Sequence, residues 1–112
     1  MASVDELWLV DFGPAFPGEP AAIRPALVIG PPDTFGPRFP YVILVPLTTS
    51  WRDLPLHVEI DATRASGLDR TSYAQCELLR AVTATRLIHR LGTVDIATSR
   101  AVDRVIRTLL NH

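Results

Sequence analysis

The chain has 112 residues, 47% of them apolar, and a formal net charge of −1. That is one domain able to bury its own core, too apolar for a disordered chain and too balanced in charge for a general nucleic-acid sponge. The longest apolar runs, Val42–Val45 and Leu7–Val10, fall far short of a bilayer, and the single Cys76 excludes an internal disulfide.

The opening Met-Ala-Ser-Val-Asp-Glu has neither a basic region nor an apolar stretch, so no signal peptide is visible and the cytoplasm is expected. A first strand is predicted over residues 6–12, ending at Gly13-Pro14. The loop 13–23 holds Gly13, Pro14, Pro17, Gly18 and Pro20. It is too long for a tight hairpin, and loops of this length in compact domains are often functional. A second strand is predicted over 24–30, stopping at Gly30-Pro31-Pro32. An irregular loop, 31–40, leads to a third strand, 41–48, apolar on both faces like a buried central strand.

After the loop 49–55, His57-Val58-Glu59-Ile60-Asp61 alternates polar and apolar, which predicts a half-buried strand. Gly67-Leu68-Asp69 marks a turn. One strand over 72–83, a helical turn at 84–87 and a brief strand ending at Gly92 follow. The last segment is helical: Val102, Val105, Ile106, Leu109 and Leu110 recur at three- and four-residue spacing, with Thr98 or Ser99 as the cap. Trp8 is expected in the core, and Cys76 as a buried thiol in a strand. Sequential strands with one terminal helix predict a mostly β (α+β) fold, a small antiparallel barrel with a packed helix, over residues 1–112.

All eleven arginines lie in residues 24–112 against eight carboxylates, and there is no lysine. Residues 1–23 carry Asp5, Glu6, Asp11 and Glu19 with no cation. Arginine's planar fork suits bidentate phosphate contact, although codon choice in a GC-rich genome accounts for much of the bias. Pro25 biases Arg24 toward extended backbone at the mouth of a strand. There it either stabilises a phosphorane-like transition state or pairs structurally with Glu19 or Asp11.

Thr48 closes the third strand, and its hydroxyl either donates to a phosphate oxygen or makes a turn. Thr49 and Ser50 follow at once, so the position is open to a slip of one. Glu19 orients Arg24, acts as a base, or is a solvated loop charge. His57 is a general acid–base group or a surface strand histidine. Trp51 and Arg52 supply planes on which unpaired bases stack. Arg100, Arg104 and Arg107 lie opposite the apolar stripe of the helix, either as an RNA ridge or as a solvated face. His57, His89 and His112 have no ligand spacing, and no Gly-rich phosphate loop or nucleophile elbow occurs. No metal site and no cofactor are therefore expected.

The chain resembles the MazF/PemK family of toxin endoribonucleases. The resemblance rests on Glu6-Leu7-Trp8-Leu9-Val10-Asp11-Phe12, Pro17-Gly18-Glu19, Arg24-Pro25-Ala26-Leu27-Val28-Ile29, Pro46-Leu47-Thr48, Leu54-Pro55-Leu56-His57-Val58-Glu59-Ile60 and Glu77-Leu78-Leu79-Arg80-Ala81-Val82. Asp5 stands where a glycine is usual, and Leu78 where a polar residue is common. The resemblance implies a homodimer of small SH3-like barrels that cleaves single-stranded RNA by attack of the substrate's own 2′-OH. It makes Arg24 the catalytic cation and proton donor, has Thr48 stabilise the scissile phosphate, and puts Glu19 on the active-site loop. Trp51, Arg52, His57, Thr49 and Arg80 are the expected RNA contacts. It also implies a cognate MazE-like antitoxin with an acidic, disordered tail that folds on binding. The alternative is a CcdB-like toxin that poisons DNA gyrase with no catalytic residues, for which Arg24 and Thr48 are incidental.

Overall fold

The structure is a computed structural model that describes residues 2–14, 17, 22–36 and 38–112. Its strands are β1 (Glu6–Asp11), β2 (Ile23–Gly30), β3 (Tyr41–Thr48), β4 (His57–Ile60), β5 (Ser72–Gln75), β6 (Arg80–Thr83) and β7 (Leu87–Thr93), followed by helix α1 (Ile96–Leu109). All pairings are antiparallel, in the order β4-β5-β3-β2-β1-β7, with β6 also against β3. The sheet curls into a barrel-like shape without closing.

Strand alternation gives the sheet two packed faces. Leu7, Leu27, Val45 and Leu47 join Ile60, Ala74, Cys76 and Val102 of α1 in one core cluster. Val10, Phe12, Ala26, Val28, Val42, Leu44 and Val82 form a second. β3 contributes to both, which is why its sequence is apolar throughout.

The strand expected over 72–83 is two strands separated by a 3-10 turn at Cys76–Leu78. Its register gives the reason: Leu47 opposes Ala74 while Leu44 opposes Arg80, so three extra residues must leave the ladder. Pro46, lacking an N–H, falls between the β5 and β6 ladders on that side of β3, while it opposes Ala26 of β2 on the other. Cys76 is buried as expected but in this turn, and burial pushes its thiol up to about 11, so it is not a reactive thiolate.

Three further details differ from expectation. Trp8 is half-buried, packing on the second cluster while its indole N–H donates to Glu6 Oε1 at 3.0 Å. Asp95 caps α1, accepting from the Thr98 N–H at 2.8 Å, so Thr98 is the capped residue rather than the cap. Of the helical stripe, Val102, Val105 and Ile106 reach the core, whereas Leu109 and Leu110 are exposed. Among the described residues no helix is long and apolar enough to cross a membrane.

Candidate active site

β2 and β3 pair with Ala26 opposite Pro46 and Leu27 opposite Val45. The same register carried one step of two residues further sets Arg24 across from Thr48. Directly opposed side chains share a face with Cβ atoms about 5 Å apart. Two residues remote in sequence therefore stand side by side at one end of two adjacent strands. With Ile23, Pro25, Leu47, Thr49 and Ser72 they line an open cavity of about 260 Å³.

Arg24 is half-buried, and its Nε donates to the Leu47 carbonyl at 2.8 Å. This bond uses one N–H of the fork and leaves the two terminal amino groups for a ligand. Among the described residues no carboxylate pairs with it, so the structural ion pair to Asp11 does not form. Burial lowers the Arg24 pKa from its ordinary value. The group remains a cation at neutral pH, and partial desolvation strengthens its attraction for an anion.

The Thr48 hydroxyl oxygen accepts from the Ser50 N–H at 3.2 Å. Its own proton stays available to donate into the cavity. Thr49 lines the same cavity and is exposed, so the slip of one residue changes side-chain role but not location. Glu19 lies outside the described residues. The neck of its loop is pinned by Phe12 N–H to Ala22 O at 2.8 Å and Ala22 N–H to Gly13 O at 3.0 Å, two residues before Arg24.

Trp51 is 65% exposed and Arg52 is also exposed, on the loop directly after Thr48. His57 is placed differently: its side chain is 4% exposed and its Nε2 lies 2.9 Å from Glu77 Oε2. It is thus neither a surface strand histidine nor a free acid–base group. The Arg80 guanidinium sits 5.4 Å above the Phe12 ring, at the root of the loop that contains Glu19. Arg100, Arg104 and Arg107 are exposed, and Arg107 pairs with Asp103 at 2.9 Å.

Among the described residues no three His, Cys, Asp or Glu side chains converge where they could hold a metal ion. A separate cavity of about 230 Å³, walled by Trp8, Phe39, Tyr41 and Leu87, lies at the opposite end of β2 and β3. It is largely apolar and contains no comparable pair of cation and hydroxyl.

A family profile described as PemK-like, MazF-like toxin of type II toxin-antitoxin system matches residues 4–110. The chain belongs to this toxin family. Endoribonuclease EndoA of Bacillus subtilis (strain 168) is similar over 108 residues at 32% identity, covering 94% of this toxin and 90% of that protein. Solved structures show the same fold. MazF from Deinococcus radiodurans superposes with a TM-score of 0.83 at 20% identity, covering 99% of this toxin and 97% of that chain. A MazE–MazF structure from the same organism gives 0.78 at 20% identity, over 98% and 96%.

Sequence reasoning passed over three residues of the toxin's site region. Ser72 lines the cavity, Tyr73 stands opposite Thr48, and Glu77 holds His57. Only the non-local register brings them there. The one local signal was the alternation Ser72-Tyr73-Ala74-Gln75, which separates a polar and aromatic face from a small, buried one.

Proposed function

We propose that this toxin is a sequence-specific endoribonuclease that cuts single-stranded RNA without a metal ion. The 2′-OH next to the scissile phosphate attacks phosphorus: its proton passes to a solvent water, the 2′-O–P bond forms and the P–O5′ bond breaks. The products are a 2′,3′-cyclic phosphate and a 5′-OH end, the departing O5′ having taken up a proton. Arg24 offers its terminal amino groups to the nonbridging oxygens and lies beside the leaving group as proton donor. Thr48 donates its hydroxyl to the same phosphate. Such a reaction needs positioning and charge stabilisation rather than a protein nucleophile.

The observation that carries this reading is Arg24 and Thr48 lining one solvent-open cavity, with the Arg24 Nε–H held by the Leu47 carbonyl. The family match and the 32% identity to an endoribonuclease support it. The gyrase-poisoning alternative needs neither residue. Glu19 acts from the adjoining loop, and Trp51, Arg52, Thr49 and Arg80 flank the RNA path. The protein acts in the cytoplasm as a homodimer of single 1–112 domains and is neutralised by a MazE-like antitoxin, as the MazE–MazF structure of a relative suggests.

The test is incubation with a long unstructured RNA in EDTA beside Arg24→Ala, with every new 5′ end mapped. Discrete cuts bearing 5′-OH ends, absent with the variant, are expected. No cutting by folded, antitoxin-free protein would sink the nuclease reading and leave gyrase poisoning.

A further inference from the structure

Arg24 flanks Thr48 on one side, and β5 flanks it on the other. There Tyr73 sits directly opposite Thr48, and Glu59 of β4 sits directly opposite Tyr73. One cross-strand row therefore runs Arg24, Thr48, Tyr73, Glu59. Strands are about 4.8 Å apart, so the row spans about 14 Å along one face of the sheet. The neighbours of these residues, Leu47, Ala74 and Ile60, are buried in the core cluster on the other face. Hence Tyr73 and Glu59 share the face on which Arg24 and Thr48 stand.

Tyr73 is half-buried and Glu59 exposed, and among the described residues nothing pairs with the Tyr73 hydroxyl or the Glu59 carboxylate. The next row on this face is closed off from solvent: His57 Nε2 is tied to Glu77, and His57 Nδ1 and the side-chain oxygen of its cross-strand neighbour Gln75 are buried without a partner. Among the described residues of these two rows, Tyr73 and Glu59 are thus the unpaired groups that solvent reaches. An unpaired carboxylate next to a phosphate site repels the nucleic-acid backbone. That cost is offset when the carboxylate accepts hydrogen bonds from the edge of a base.

We propose that Tyr73 and Glu59 form a base-reading subsite next to the scissile phosphate. This rests on the ribonuclease reading of the Arg24–Thr48 site. The Tyr73 ring is the platform on which one unpaired base stacks, sequence-tolerant because every base has a π-face. Glu59 then selects that base by its Watson–Crick edge. Guanine fits best, because its N1–H and N2–H2 present two parallel donors to the two carboxylate oxygens. Uracil is rejected, because its one N–H lies between two carbonyl oxygens that face the carboxylate unpaired.

The experiment compares wild type, Tyr73→Ala, Tyr73→Phe and Glu59→Gln in two assays. Cuts are mapped on one long unstructured RNA. Affinity is measured by fluorescence anisotropy for two single-stranded oligonucleotides identical except that guanines in one are uracils in the other. Wild type is expected to cut where guanine occupies one fixed position beside the cut, and to bind the guanine oligonucleotide more tightly. Tyr73→Ala loses about tenfold or more in affinity and in kcat/KM, the scale of one base–aromatic stack, whereas Tyr73→Phe retains both. Glu59→Gln loses the guanine preference at that position, in the cut sites and in the binding assay alike.

Unchanged affinity in folded Tyr73→Ala overturns the platform, and a guanine preference untouched by Glu59→Gln, or absent from wild type, overturns the selection. If wild type cuts nothing, the nuclease reading fails and the binding assay still decides the subsite. A guanine preference erased by Glu59→Gln upholds it there, and equal binding of the two oligonucleotides overturns it.

Discussion

The Nε–H of Arg24 donates to the Leu47 carbonyl oxygen at 2.8 Å, which fastens the guanidinium to the strand that ends in Thr48. Since Leu47 is fully buried and opposes Ala74, that carbonyl belongs to a rigid part of the sheet. The ordering of a long, rotamer-rich side chain is therefore met during folding and not when a ligand arrives. A charge held in place before the substrate arrives needs little reorganisation in the transition state.

Arg24→Lys tests whether the fork or only the charge matters. Lysine keeps the cation but lacks the Nε–H that reaches Leu47 and the paired terminal amino groups. Single-turnover cleavage is expected to fall about 10²-fold, the usual cost of losing one well-placed donor. Stability should change by about 1 kcal/mol, one neutral-acceptor hydrogen bond. Cleavage near the wild-type rate would show that charge alone suffices at this strand mouth.

Thr48 is separated from Thr49 by a pair of conservative changes. Thr48→Val keeps the β-branched shape and deletes the hydroxyl, and a loss of about 10²-fold in cleavage is expected. Thr48→Ser restores the hydroxyl and should recover most of the rate. Thr49→Val should cost clearly less than Thr48→Val, because Thr49 reaches the cavity only from its exposed rim. If Thr49→Val proves the damaging change, the catalytic hydroxyl is one residue later than the register indicates.

What the sequence reveals here follows from which interactions are local. β3 begins at Tyr41 and ends at Thr48, at its expected bounds, because Pro40 precedes its apolar run and the polar Thr49-Ser50 follows it. The split between β5 and β6 was invisible: Cys76-Glu77-Leu78-Leu79 contains no Gly or Pro, and the turn answers a register mismatch with β3 rather than a local signal. Asp95 was legible as a cap, since a short polar acceptor three residues before a free N–H is the local rule, yet Thr98 and Ser99 drew attention away from it. Arg24 and Thr48 stand out because Pro25 and a strand end mark them. His57 does not, because its burial depends on Glu77, twenty residues away.

Gly67 and Gly36 contrast an obstructed glycine with an open one. Both have positive φ, +69° and +84°, and Gly36 with ψ 167° lies in a region that essentially only glycine adopts, so alanine at either carries a backbone cost of about 1–3 kcal/mol. At Gly36 an added Cβ meets open space, whereas at Gly67 it would run into the carbonyl oxygen of Leu91 in β7. That segment also holds the Thr93 N–H to Ala65 O bond at 2.9 Å, which would have to give way. Gly67→Ala should therefore cost roughly 3–5 kcal/mol, in the range of the most damaging single changes. Urea denaturation of both variants measures this, and equal costs would mean that β7 yields without resistance.

Glu6 gives the fold an acid-sensitive contact. Burial alone would push its carboxyl up, but the Ser3 N–H at 2.8 Å, the Trp8 indole at 3.0 Å and Arg90 at 2.8 Å outweigh it. The pKa is thereby held below its ordinary value. A carboxyl whose pKa is lower folded than unfolded adds stability that is complete above the unfolded value, about 4.3, and is lost as pH falls through the folded value. Arg90 is half exposed, so its share is screened, and the hydrogen bonds from Ser3 and Trp8 carry most of an expected contribution of about 1 kcal/mol. Melting temperatures of wild type and Glu6→Gln should then differ by a constant few degrees above about pH 5, and the gap should shrink as pH falls below the unfolded value, about 4.3, toward the lowered folded one. A difference that persisted undiminished into that acid range would show that the Glu6 side chain acts through packing against Trp8 rather than through its charge.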